Sequence, residues 1–178
     1  MQQKSIVLIL ILFTACGTTD SDSEIDEPVT QGIVMIDETG LQIGTWRSPS
    51  SPSPQSDGFR LFVPYPNPVS STTNISFEIG NIRQVDIWVL PVRIPEESES
   101  RYVKEFGPES VIDGRIITIV SSELQAGIHN ILWESNLPRG FYRIYAESSE
   151  ETLWHDIFIG SPGESYQEMI SYLNNLND

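Results

Sequence analysis

Apolar and polar positions change places with a period of two along most of the chain beyond residue 58. In Thr73 to Ile79, one face carries Ile75, Phe77 and Ile79, and the other carries Asn74, Ser76 and Glu78. Gln84 to Leu90 sets Val85, Ile87 and Val89 against Asp86, Trp88 and Leu90. Arg115 to Val120 is a fuller apolar run. Gly127 to Glu134 sets His129, Ile131 and Trp133 against Asn130, Leu132 and Glu134. Gly140 to Glu147 and Thr152 to Ile159 complete the series, with Gly and Pro in the gaps. Short strands joined by turns, without helical patterns between them, predict an all-β antiparallel sandwich over residues 59–160.

The flanking segments read differently. Residues 29–47 predict a β-hairpin, with Ile33 to Ile36 and Leu41 to Trp46 as strands and Asp37-Glu38-Thr39-Gly40 as the turn. An isolated hairpin is marginal in water, so this one needs the following domain to pack against. Residues 48–58 (SPSSPSPQSDG) form a Pro/Ser linker. Pro91 to Asp113 interrupts the strand series with Glu96, Glu97, Glu99, Glu105 and Glu109, and reads as a long charged loop. In 161–178 the period becomes helical. Ser161-Pro162-Gly163-Glu164 has the pattern of a capping box, and Tyr166, Met169, Ile170, Leu173 and Leu176 form an apolar stripe. A short amphipathic helix of this kind needs the sandwich, or a partner protein, to cover it.

The N-terminus has the plan of an export signal. Lys4 precedes an unbroken apolar run of eight residues, Ile6 to Phe13. That is far short of the roughly twenty needed to span a bilayer, so residues 1–15 read as a signal peptide. Thr14 and Ala15 stand directly before Cys16, and Leu12-Phe13-Thr14-Ala15-Cys16 resembles the bacterial lipobox. The resemblance implies lipidation (palmitate among the acyl groups) at Cys16, the one cysteine of the chain, and a location in the cell envelope as an outer-membrane lipoprotein. It leaves the periplasmic and cell-surface faces as alternatives. Several acyl chains at about 0.8 kcal/mol per buried methylene make such an anchor effectively permanent. Residues 16–28 then form an acidic, solvated tether. Its Asp20-x-Asp22-x-Glu24 lacks the glycine and the terminal glutamate of a calcium loop, so no metal is expected there.

Charge narrows the partners. The 178 residues include 10 Lys+Arg and 25 Asp+Glu, a net charge of -15, which argues against nucleic acid. One cysteine excludes an intrachain disulfide and a multi-cysteine zinc site.

Three blocks carry a further resemblance. They are Tyr65-Pro66-Asn67-Pro68 followed by Ser71-Thr72-Thr73-Asn74-Ile75-Ser76-Phe77, Glu123 to His129 leading to Trp133, and Leu137-Pro138-Arg139-Gly140-Phe141-Tyr142-Arg143-Ile144. In this order they resemble the Ig-like C-terminal sorting domains of type IX secretion, which are related to the Ig-like domain of the flagellar hook-capping protein. The resemblance implies an Ig-like sandwich, and strand alternation independently puts Trp133 and Tyr142 on inward faces. The chain departs from the family in several ways, among them an N-terminus that already carries a lipoprotein address and almost no separate cargo domain. Eighteen residues follow Gly160, the usual Lys-bearing end is missing, and the segment after Leu90 is long. The sandwich is therefore expected to be the body of the protein and not a cleavable export tag.

No catalytic constellation emerges. The two histidines are His129 and His155, and a strand sends His155 and Asp156 to opposite faces, which is wrong for a catalytic pair. No nucleophile elbow, phosphate loop or dinucleotide glycine motif is present. The reading is non-enzymatic, with no cofactor and no metal. One cluster invites a role. The strand faces opposite the inferred core carry Trp88, Phe141, Tyr145, Trp154 and Phe158, with Leu90. This face is too apolar to stand in water. Either the helix or the hairpin docks on it, or it is an aromatic platform for a polysaccharide or a protein. The expected function is that of a lipid-anchored envelope protein with a binding or structural role. The alternatives are contact with type IX-like secretion machinery, and glycan binding at the surface.

Overall fold

The computed structural model describes residues 28–49, 58–94, 117–149 and 151–176. The signal peptide, Cys16, the acidic tether up to residue 27, most of the 48–58 linker and most of the Pro91–Asp113 loop lie outside the described residues.

Among the described residues the elements run β1 (Gly32–Ile36), β2 (Gln42–Arg47), β3 (Phe59–Leu61), β4 (Thr72–Ile79), β5 (Arg83–Pro91), β6 (Ile117–Leu124), β7 (Gly127–Glu134), β8 (Gly140–Ser148), β9 (Thr152–Ile159) and α1 (Tyr166–Asn175). Seven strands form the sandwich. One sheet has the order β3-β4-β7 and the other β6-β5-β8-β9, with every pairing antiparallel. Strands β1 and β2 form a separate hairpin. The protein is an all-β sandwich of Ig-like design, with an N-terminal hairpin and one short C-terminal helix.

The period-two pattern determines which side chains meet between the sheets. Ile75, Phe77 and Ile79 of β4 pack against Val85, Ile87 and Val89 of β5, and against Tyr142, Ile144 and Ala146 of β8. Trp133 packs, half-buried, against the same core. Tyr142 closes a tyrosine corner, in which its hydroxyl donates to the carbonyl of Pro138 at 2.9 Å. Burial raises the pKa of that phenol. Within the sandwich, one irregularity departs from strict alternation. Between β5 and β6 the register shifts at Ile87/Trp88, so Ile119 and Val120 are both half-buried at this bulge.

The hairpin turn follows from Asp37 and Gly40. The Asp37 carboxylate accepts from the Thr39 amide, the Thr39 hydroxyl and the Leu41 amide. The Thr39 side-chain bond, then the backbone bond to Leu41, holds the Asp37 pKa below its ordinary value. Gly40 has φ +84°, which a side chain would resist.

The helix begins later than its sequence suggests. Ser165 is the N-cap, in a full capping box with Glu168, so Ser161 and Glu164 do not start the helix. Those two residues close a turn in which Gly163 has φ +82°. The Glu164 carboxylate accepts from the Ser161 amide and is also taken by Arg139. The helix spans 10 residues, just under three turns.

Candidate functional site

The outer face of β5, β8 and β9 is where the sequence left its question. Trp88, Phe141, Tyr145, Trp154 and Phe158 do share this face, and none is more than 9% exposed. The hairpin brings Ile33, Met35 and Trp46 down onto it, and α1 brings Met169 and Leu173. Trp46 stacks on Phe141 with centroids 4.8 Å apart. Trp88 lies on Tyr145 at 4.1 Å with planes 8° apart, and Phe158 stacks on Tyr172. The result is a second apolar core outside the sandwich. A polysaccharide or protein platform needs accessible rings, and on this face the rings are closed over by both candidate covers.

A charged pair sits within this core. Arg143 and Asp156 face each other across β8 and β9. Arg143 Nε donates to Asp156 Oδ1 at 2.6 Å and Nη2 donates to Oδ2 at 3.1 Å. Side-chain exposure is 5% for Arg143 and 0% for Asp156. Such burial is tolerated only when the remaining polar capacity is filled. Here the N-terminal segment fills it. The Thr30 hydroxyl and the Gln31 amide donate to Asp156 Oδ2 at 3.0 and 2.9 Å, and Arg143 Nη2 donates to the Val29 carbonyl at 3.0 Å. The guanidinium also lies 3.6 Å from the Trp154 ring centroid, a cation–π contact. Burial alone would lower the Arg143 pKa, but hydrogen bonding and the charge of Asp156 outweigh it and the net shift is upward. Burial likewise raises Tyr145, against an opposing effect of Arg143.

Asn67, in the Tyr-Pro-Asn-Pro segment, is a second joint. It is fully buried. Its amide nitrogen donates to the carbonyls of Val34 at 3.0 Å and Asp156 at 3.2 Å, and its Oδ1 accepts from the Phe158 amide at 3.2 Å. Its backbone exchanges a hydrogen bond in each direction with Ile36. The Tyr166 hydroxyl donates to the Asn67 carbonyl at 3.4 Å. One residue thus ties hairpin, sandwich and helix together. Burial pushes the Tyr166 pKa up to about 12.

The helix has its own clamp. Arg139 forms a two-pronged pair with Glu164, at 3.0 and 2.9 Å, and stacks 3.7 Å from the Tyr172 centroid. The Arg139 bond is the main cause holding the Glu164 pKa below its ordinary value.

The histidines are separated and each bonds a carbonyl. His129 Nε2 lies 2.8 Å from the Gln125 oxygen, and His155 Nε2 lies 3.2 Å from the Leu61 oxygen. Burial lowers the His155 pKa, opposed by the Leu61 bond. Among the described residues, no group of three His, Cys, Asp or Glu side chains could hold a metal.

Arg143, Asp156 and Asn67 were not singled out as functional in the sequence. A signal for the ion pair exists. Arg143 stands between Phe141 and Tyr145 on one strand face, and Asp156 between Trp154 and Phe158 on the next. Opposite charges framed by aromatics in neighbouring strands mark a buried pair. Asn67 has no comparable pattern.

Comparisons of the chain with protein families, with curated proteins and with solved structures returned no match.

Proposed function

We propose that this protein is a lipid-anchored component of the bacterial cell envelope with a non-catalytic binding or structural role. The observation that carries the reading is Leu12-Phe13-Thr14-Ala15-Cys16, directly after the apolar run Ile6 to Phe13. A covalent anchor at Cys16 puts the acidic tether between membrane and body. Residues 29–31, the first past the tether, are bonded to the Arg143–Asp156 pair, so a pull from the anchor enters the sandwich at a buried, charge-assisted joint.

Metabolic labelling with a tagged fatty acid, followed by membrane fractionation, tests this. The native chain should carry label and sediment with membranes, whereas Cys16→Ser should lose both properties. An unlabelled native chain, or a Cys16→Ser chain that still sediments with membranes after a high-salt wash, would overturn the reading.

A further inference from the structure

One open depression lies away from the covered face. It is bordered by the hairpin turn, the Tyr65-Pro66 segment, the start of β4 and the exposed side of β7. Glu38, Tyr65, Ser71, Thr72, Asn74 and Leu132 line it. Leu132 is 75% exposed and stands opposite Asn74 on the neighbouring strand, so its side chain is open to a ligand. The Asn74 amide donates to Tyr65 Oη at 2.8 Å. That bond leaves the Tyr65 hydroxyl proton free to donate and Asn74 Oδ1 free to accept. If the amide is turned over, the phenol donates to it instead, and one donor and one acceptor still remain side by side.

We propose that this depression binds a neutral saccharide. An adjacent donor and acceptor match neighbouring sugar hydroxyls, each of which can both give and take a proton. The Tyr65 ring and Leu132 offer apolar surface to the C–H side of a sugar ring, and the hydroxyls of Ser71 and Thr72 extend the polar rim. Among the described residues, Glu38 is the one charged residue lining the depression, and no basic side chain lines it. With 25 acidic against 10 basic residues overall, the chain also repels polyanions. Phosphorylated and sulfated ligands are therefore disfavoured. Beyond the depression the polar strip continues, with the Ser76 hydroxyl donating to Asn130 Oδ1 at 2.7 Å. From Thr72 to Ser76 the strand face runs about 13 Å at ~3.3 Å per residue, room for more than one sugar ring. The proposal names a ligand class for the binding role given above, and it does not depend on Cys16 being acylated. The fractionation result and the binding result can therefore fail separately.

The test is amide chemical-shift titration of the full chain in a zwitterionic, sugar-free detergent. The probes are maltohexaose, cellohexaose, laminarihexaose, mannohexaose and N-acetylchitohexaose, with a sulfated dextran oligosaccharide as the anionic control. At least one neutral probe should shift residues 65, 72–76 and 132. Leu132→Asp and Asn74→Ala should each weaken that binding about tenfold or more, which is about 1.4 kcal/mol. Ile128→Asp, on the same strand but outside the depression, should not. Leu132 is exposed, so its replacement leaves the core intact. The proposal is overturned if no neutral probe shifts these amides at millimolar concentration. It is equally overturned if Ile128→Asp weakens binding as much as Leu132→Asp, or if the sulfated oligosaccharide binds more tightly.

Discussion

Arg143 and Asp156 form a two-pronged ion pair between neighbouring strands, sealed beneath the N-terminal hairpin. The pair does not merely sit in the sheet. Through Val29, Thr30 and Gln31 it holds the chain that enters from the N-terminal side. The aromatic face around it explains why water does not compete for these bonds. Trp154 lies under the guanidinium, and Trp46, Phe141 and Tyr145 are buried in the same cluster.

Removing one member should cost more than replacing both, although the double replacement also takes the partners of Val29, Thr30 and Gln31. Arg143→Met leaves a buried carboxylate unpaired, and the expected loss is about 3–5 kcal/mol. Arg143→Met combined with Asp156→Leu should lose less. Urea denaturation of the three chains measures this. A single substitution costing under about 1 kcal/mol would show that the pair is hydrated in solution.

Asn67→Ala should loosen the hairpin before it loosens the sandwich. It strips the Phe158 amide and the carbonyls of Val34 and Asp156 of their side-chain partner. A buried group left unsatisfied costs about 1–3 kcal/mol. Hydrogen exchange should accelerate in β1 more than in β4. Equal acceleration in both would mean that the hairpin has no separate opening.

Trp46 separates packing from hydrogen bonding. It is fully buried, and its indole nitrogen has no hydrogen-bond partner among the described residues. Trp46→Ala should cost about 3–5 kcal/mol and increase binding of a hydrophobic dye as the aromatic face opens. Trp46→Phe should cost substantially less, because a ring remains against Phe141 and no hydrogen bond is lost. Thermal denaturation of both variants checks the order.

Alkaline pH should weaken the joint at Tyr166. Its folded pKa is raised to about 12 from an ordinary value of 10, so the unfolded chain loses this proton first. The stabilisation is fully present below pH 10 and is lost as pH rises through about 12. Tyr166→Phe should flatten the fall in stability over this window, as followed by circular dichroism. At the acid end the sign reverses. Glu164, lowered mainly by Arg139, contributes stability that is lost as pH falls below its ordinary value of 4.5.

The two Ser-x-x-Glu patterns should respond unequally. Ser165→Ala removes the working N-cap and should cost about 0.5–2 kcal/mol. Ser161 contributes its backbone amide and carbonyl to the turn, so Ser161→Ala should be close to neutral. Denaturation midpoints of the two variants decide which serine caps the helix.

Much of the fold is legible in the sequence for a simple reason. A strand sends successive side chains to opposite faces, so Ile75, Phe77 and Ile79 declare a buried face without any knowledge of the partner sheet. The hairpin turn is equally local, because Asp37 and Gly40 act within their own loop. What packs on a face is not local. The sequence could mark the aromatic face of Trp88, Phe141, Tyr145, Trp154 and Phe158 as too apolar for water. Only the tertiary structure decided that hairpin and helix both close it. The helix start shows the same division. The sequence pattern points to Ser161…Glu164, but the cap that forms is Ser165…Glu168, four residues on. Arg139, distant in sequence, takes Glu164, and the docking of Met169 and Leu173 selects the later start. Asn67 belongs wholly to the tertiary level, whereas Arg143 and Asp156 are marked in the sequence by their aromatic frame and owe only their N-terminal partners to the tertiary structure. A charge or an amide is polar wherever it stands in the chain. The partners that the tertiary structure supplies stand up to 126 positions away, which no local period records.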